Sequence, residues 1–203
     1  QKYGNDRTFQ KGQVMDAINM LHPKSIDLKV SRIIRETDST SPLRLIPKKG
    51  YLPPFQAGQY INLFVQIKSI QTSRPYSISS SPSQTGFYDI TIRRLDNGFV
   101  SSYLTEQIKV GDSLTSTSPT GNFYHNPLFH GKTLVFLAGG SGITPFMSMI
   151  REVTDRGLDR QIHLIYGSRI EDDIVFHDEL ADRSDFADQF KVSHVISEAS
   201  PGY

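Results

Sequence analysis

Hydrophobic positions in this chain change period twice. In the first 25 residues Phe9, Val14, Met15, Ile18 and Leu21 recur at helical spacing until Pro23 stops the pattern. Residues 1–25 are therefore expected to be an N-terminal extension whose short amphipathic helix packs on another element. From about residue 26 apolar and polar residues fall into strand-like runs: DLKVSRII, GQYINLFVQI, RPYSISS, FYDITIRRL and GDSLTST. Each is short, rich in β-branched or aromatic residues, and bounded by Gly, Pro, Asn, Asp or Ser. Five or six such strands within residues 26–128 predict a small antiparallel β-barrel of Greek-key type.

Past Gly131 the pattern shifts again. LVFLA (134–138) and IHLIY (162–166) are apolar runs of the kind buried parallel strands show. Helical stretches follow them, Pro145 to Arg156 and Val175 to Ala181, and FKVSHVI (190–196) supplies a third strand. Strands alternating with helices mean βαβ units, so residues 129–203 are expected to form a Rossmann-like α/β domain on a parallel sheet. Ligands of such sheets bind beyond the carboxyl ends of the strands. Three strands make a small sheet, and the chain ends just after the third. The natural polypeptide is expected to continue, with the C-terminal part of this domain missing here.

Composition narrows the function classes. The chain has 203 residues, 37% hydrophobic and 21% charged, the balance of an ordinary globular protein. A net charge of +1 argues against a dedicated nucleic-acid surface. The longest apolar run, Leu134 to Ala138, is far shorter than the roughly 20 residues of a membrane helix. No N-terminal stretch has the plan of a signal peptide. Cysteine is absent, which removes disulfides, thiolate nucleophiles and cysteine-ligated metals from these residues and fits a cytoplasmic setting. The six histidines are scattered, with no pair at metal-ligand spacing.

Two familiar signatures fail. HGKT (130–133) resembles the end of a P-loop, but Asn126 stands where its first glycine belongs, and the segment leads into a strand. GGSGI resembles a nucleophile elbow, but Ile143 replaces the second flanking glycine. AGGSGITPF (138–146) survives. It follows a buried strand and opens a helix, where low side-chain bulk lets backbone N–H groups approach an anion. Pro145 occupies the third glycine's place of GxGxxG and suits a first helical turn. Thr144 can cap the helix or reach a phosphate oxygen. SRPYSISSSP (73–82) offers a cation, a ring and a hydroxyl in succession, as half of a cofactor cradle or as a plain strand edge.

Together these segments resemble the ferredoxin–NADP reductase family from about residue 26 onward. RPYS (74–77), GFVSSYL (98–104), PTGNF (119–123), GGSGITPF (139–146), YGSR (166–169) and FHDEL (176–180) occur in the family's order. The resemblance implies a flavin-binding barrel followed by a nicotinamide-nucleotide domain. It places Arg74 at the flavin phosphates, Tyr76 against the flavin ring, Ser77 near flavin N5 and Pro75 among the cofactor-binding residues, with Tyr76 and Ser77 as the catalytic pair. Ile92 and Arg93 join the flavin site. Gly98, Val100, Ser101 and Ser102 would meet the pyrophosphate, with Leu104 starting a helix that favours the anion. Tyr124 and the loop 83–87 are candidates for the adenine.

The same resemblance puts Gly140, Gly142, Thr144 and Pro145 at the nicotinamide-nucleotide pyrophosphate. It counts Gly139, Ser168 and Arg169 among the cofactor-binding residues, with Arg169 able to supply a cation for a 2′-phosphate by another route. NADP-using relatives tend to follow the third strand with Ser-Arg; this chain has Ser197-Glu198. A carboxylate there repels a 2′-phosphate and accepts from a free ribose diol, which favours NADH. FAD is favoured over FMN by the separate GFVSS turn. The implied activity is hydride transfer from NAD(P)H to FAD, then single electrons to an acceptor protein or fused iron–sulfur, ferredoxin or haem domain. The family's Cys-Gly-Pro block and terminal aromatic are not among these residues. A flavin-binding electron-transfer or regulatory subunit, not itself oxidising NADH, is the alternative reading.

Overall fold

In a computed structural model, the structure describes residues 23–198 together with Met15, Asp16 and Ile18. The amphipathic helix expected over Phe9 to Leu21 lies mostly outside the described residues.

The strand-forming part builds one six-stranded antiparallel sheet. Its strands are β1 (Ile26–Ile33), β2 (Thr40–Pro47), β3 (Tyr60–Ile67), β4 (Ile70–Ser77), β5 (Tyr88–Arg93) and β6 (Ser113–Ser116), in the order β4-β3-β6-β1-β2-β5. Alternation explains the inner face: Ile26, Leu28 and Val30 are buried while Asp27 and Lys29 between them are exposed. A bridge between Ile78 and Ile90 ties the residue after β4 to β5, so the sheet curls until its outer strands meet. Leu43, Leu45, Ile61, Leu63, Ile90 and Ile92 fill the interior.

β2 is absent from the strand runs read in the sequence, because TSPLRLIP carries Pro42 and Arg44 inside it. Two devices hold it in the sheet. Pro42 lacks an N–H, but its carbonyl accepts from Ile34 N at 2.9 Å. Arg44 pairs with Asp89 on β5 through two 2.9 Å bonds and lies 3.6 Å over the Phe87 ring.

A short helix α1 (Phe99–Ser102) continues as a π-helical turn, Tyr103–Gln107, between β5 and β6. The second sheet is parallel, in the order β7 (Thr133–Gly139), β8 (Gln161–Ser168), β9 (Phe190–Ile196). Helix α2 (Thr144–Arg156) ends at Gly157, whose φ of +58 supplies a left-handed cap. Helix α3 (His177–Phe186) starts two residues later than expected, because Phe176 adopts φ +63 and cannot be helical, and it runs five residues further. Phe136, Met147, Ile150, Leu164, Tyr166, Leu180 and Phe190 form the second core. The opposite sheet face is open, with Val135, Leu137 and Val195 more than half exposed. Among the described residues no helix is long and apolar enough to cross a membrane.

Candidate functional site

A recess of about 690 Å³ opens where β4, β5 and α1 of the curled sheet face the turn between β7 and α2. That volume lies in the range of a small-molecule or cofactor site. Arg74, Pro75, Tyr76, Ser77, Arg93, Gly98, Val100, Ser101, Gly142, Thr144 and Pro145 all line it, joined by Thr91, Leu95, Phe99 and Ser141. Two arginines and no carboxylate stand on its wall, so the recess favours an anion.

The β4 side follows from the hairpin register, which sets Tyr76 opposite Ile61 and Ser77 opposite Tyr60 on β3. Tyr76 packs against the barrel core while its edge reaches the recess. Burial raises its phenol above the ordinary 10.0, with the Arg74 charge opposing, so it stays a neutral donor. Arg74 is exposed, and its Nη1 donates to Thr72 Oγ1 at 2.9 Å and to Ser73 O at 2.7 Å. One terminal nitrogen is thereby anchored to its own strand.

On β5 the alternation separates the two expected residues. Arg93 lines the recess, whereas Ile92 is fully buried in the barrel core and does not. Thr91, two residues back on the Arg93 face, lines the recess as well. In GFVSSYL the helix begins at Phe99, not Leu104, which is 1% exposed within the π-helical turn. The orphan N–H groups of a first turn therefore lie at residues 99–101. Ser102 is outside the recess lining. Ser101 Oγ accepts from Leu95 N at 3.2 Å, folding the turn back on itself. A Cβ on Gly98 would sit 2.2 Å from that oxygen and 3.0 Å from Leu95 O, so a larger residue there would have to displace the Ser101 hydroxyl.

The facing turn is a 3₁₀ segment, Gly140–Ile143, running straight into α2. Gly140 has φ +49, and Arg93 Nη1 lies 2.6 Å from where its Cβ would be. The Arg93 guanidinium thus bridges the two halves of the chain. Gly140 O accepts from Tyr166 Oη at 2.8 Å, and burial pushes that phenol up to about 12. Thr144 is the first residue of the helix instead of its cap. Its Oγ1 donates to Ser141 O at 2.7 Å, closing the turn. Gly139 ends β7 outside the recess lining.

Ser168, Arg169 and Glu198 cluster apart from the recess, at the carboxyl ends of β8 and β9. Glu198 N donates to Arg169 O at 2.8 Å, and Ser197 N to Ser168 O at 3.1 Å. The exposed Arg169 guanidinium faces Asp173 at 3.8 Å and Glu198 at 4.0 Å. Tyr124 borders a different hollow, with Phe123, His125 and Phe146. The loop 83–87 also stays off the recess, with Ser83 bonded to Ser81 and Phe87 under Arg44.

The residues present fit a flavin dinucleotide. Pro75 and Tyr76 would offer a surface to a flat ring, and Arg74, Arg93 and the Gly98 turn would offer cations and backbone donors to a diphosphate.

Two family models match the chain, an oxidoreductase FAD-binding domain over residues 27–125 and an oxidoreductase NAD-binding domain over residues 136–203. A flavohemoprotein of Candida albicans is 33% identical over 178 residues, 85% of this chain and 44% of that protein. The toluate 1,2-dioxygenase electron transfer component of Pseudomonas putida is 35% identical over 151 residues, 74% of this chain and 44% of that protein. Among solved structures, the flavohem-like FAD/NAD-binding domain of nitric oxide dioxygenase from Vibrio cholerae superposes with a TM-score of 0.78 at 25% identity. It covers 87% of this chain and 76% of that one. The chain spans about half the length of the curated relatives it matches.

Proposed function

The chain belongs to the ferredoxin–NADP reductase-like superfamily of FAD- and NAD-binding oxidoreductases, and from that premise we propose that it takes hydride from NADH and passes electrons singly to a redox partner. The observation that carries this reading is the recess itself. The RPYS edge faces the GSGITP turn across a wall with two arginines and no carboxylate.

Bound FAD supplies a ring that accepts hydride at N5 and releases electrons one at a time. The chain's residues do the rest. Arg74 and Arg93 hold the diphosphate by charge-assisted bonds, and the Gly98–Ser101 turn offers it backbone donors. Tyr76 covers the ring and keeps water from one side. Ser77 places a hydroxyl at the edge where hydride arrives. Gly142, Thr144 and Pro145 carry the nicotinamide nucleotide's phosphates at the opening of α2. Glu198 accepts from the free adenosine-ribose diol, and the Arg169 charge is offset by its two acidic neighbours, which supports NADH over NADPH.

The acceptor we infer is an iron–sulfur or haem centre, on a separate protein or a fused domain. A dioxygenase electron transfer component and a flavohemoprotein among the relatives support that class. We place the protein in the cytoplasm, as its cysteine-free composition suits.

Anaerobic titration of the FAD-loaded chain with NADH tests the reading. Stoichiometric bleaching of the flavin band is expected. A flavin band that persists through excess NADH overturns it.

A further inference from the structure

The segment after RPYS is buried without being apolar. Ser79, Ser80 and Ser81 are at most 2% exposed. Their hydroxyls serve the barrel: Ser79 Oγ donates to Asp89 O at 3.1 Å, and Ser80 Oγ accepts from Asp89 N at 3.2 Å. Two of their carbonyls serve the other domain. Ser80 O accepts from Ser148 Oγ at 2.7 Å, and Ser79 O accepts from Arg151 Nη1 at 2.8 Å. Ser148 and Arg151 belong to α2, the helix that opens at Thr144 on the recess. Positions 144, 148 and 151 follow the four- and three-residue steps of one helix face. One rigid element therefore begins in the nucleotide turn and is fastened to the main chain two and three residues beyond Ser77.

Arg151 also takes part in a second grip across the domains. Its Nε donates to Glu179 Oε1 at 2.9 Å, its Nη2 pairs with the other carboxylate oxygen, and its guanidinium carbon lies 5.0 Å from the Phe176 ring centre. Phe176 N donates to Glu36 Oε1 at 2.9 Å, and Glu36 sits on the β1–β2 connection of the barrel. Phe176 holds φ +63, a region costly for a bulky side chain. The barrel's carboxylate grips its backbone while Arg151 covers its ring.

We infer that Arg151, with Ser148 and Glu36, forms an interdomain latch that positions the nicotinamide nucleotide on α2 against the flavin edge at Ser77. The inference rests on the hydride-transfer reading above. Arg151 touches neither partner of the reaction; it acts through the Ser79 main chain. Hydride transfer needs reacting atoms about 3–3.5 Å apart, and a remote shift of about 1 Å can lower a rate about 10²-fold.

The chain has no cysteine, so Lys49→Cys on the barrel and Asp182→Cys on α3, both exposed, take spin labels without background. In the FAD-loaded full chain, a single narrow interdomain distance is expected. Arg151→Met, Ser148→Ala and Glu36→Ala should broaden or displace it. Glu36→Gln, which keeps an acceptor for Phe176 N, should restore it. Stopped-flow reduction should show a limiting rate about 10–10² lower in Arg151→Met, with NADH affinity little changed. Circular dichroism checks the fold, and Ser148→Ala and Glu36→Ala carry the test if Arg151→Met does not fold. Parent-like distances in the folded variants overturn the latch. Should NADH fail to bleach the parent, the functional reading falls, and the distances alone still decide the latch.

Discussion

Arg74 and Arg93 reach one recess with different commitments. Arg93 is wedged against Gly140, whereas Arg74 is exposed and anchored only to Thr72 and Ser73. Removing Arg74 should therefore spare the fold and weaken the cofactor. Arg74→Ala is expected to lower FAD affinity about 10–100-fold, the worth of a hydrogen bond between charged groups at about 1.5–3 kcal/mol. Fluorescence titration with far-UV circular dichroism measures both, and parent-like affinity would remove Arg74 from the phosphate site. Glu198 gives the matching test on the nucleotide side. Glu198→Arg leaves Arg169 beside a second cation, and the NADPH-to-NADH ratio of kcat/KM should rise about tenfold or more. An unchanged ratio rejects the specificity assignment. Tyr76 and Ser77 were legible in the sequence as neighbours in one motif, and both line the recess. The side chain of Ile92 lies in the barrel core and that of Arg93 on the recess because neighbours on a strand face opposite ways, and a motif alone does not say which is which.

Strands and helices were legible where their period was clean. β3, β7 and β8 carry clean alternation or apolar runs, and β1 alternates as far as the register shift between Val30 and Arg32. β2 carries a proline and an arginine paired with β5, and its strand character comes from partners on both sides. The early start of α1 escaped notice because GFVSS has neither a side-chain cap nor an apolar period. Glycine decides how these elements meet. Gly58, φ +103, lies just before β3, and a Cβ there would fall 2.0 Å from Phe123 O and 2.5 Å from Met149 Cε on α2. Gly50, φ +73, has open space around it. Gly50→Ala should lose only the left-handed cost, about 1–2 kcal/mol. Gly58→Ala should lose clearly more, because backbone must move. Urea unfolding of the two variants separates strain from collision, and equal losses would mean that the barrel and α2 are not closely packed there.

The two domains meet through titrating groups, so the whole molecule should report their contact as a function of pH. Glu36 carried no signal in the sequence, since it gains its partner only from the tertiary packing. Glu179, by contrast, lies in the FHDEL block and pairs with Arg183 four residues on, with the tertiary packing adding Arg151. Burial raises Glu36 above its ordinary 4.5, with Glu179 and Asp178 adding to the rise and the Phe176 N–H and Arg151 opposing it. Burial would also raise Glu179, but Arg151 and Arg183 outweigh it and hold that carboxyl below 4.5. The signs follow from proton linkage. Folded Glu36 binds its proton more tightly than unfolded Glu36, so its contribution to stability falls as pH rises from 4.5 through its raised value. Folded Glu179 binds its proton less tightly, so its contribution is complete above 4.5 and is lost as pH falls through its depressed value. Glu179→Gln should accordingly be less stable than the parent at neutral pH, with the gap closing as pH drops below 4.5. For Glu36→Gln the comparison runs the other way, the variant gaining on the parent as pH climbs above 4.5. Denaturant unfolding across pH 3–8 (a range of about five units spanning both windows) measures the two differences. Slopes of the same sign would mean that these carboxylates do not share the environment that Arg151 organises between the domains.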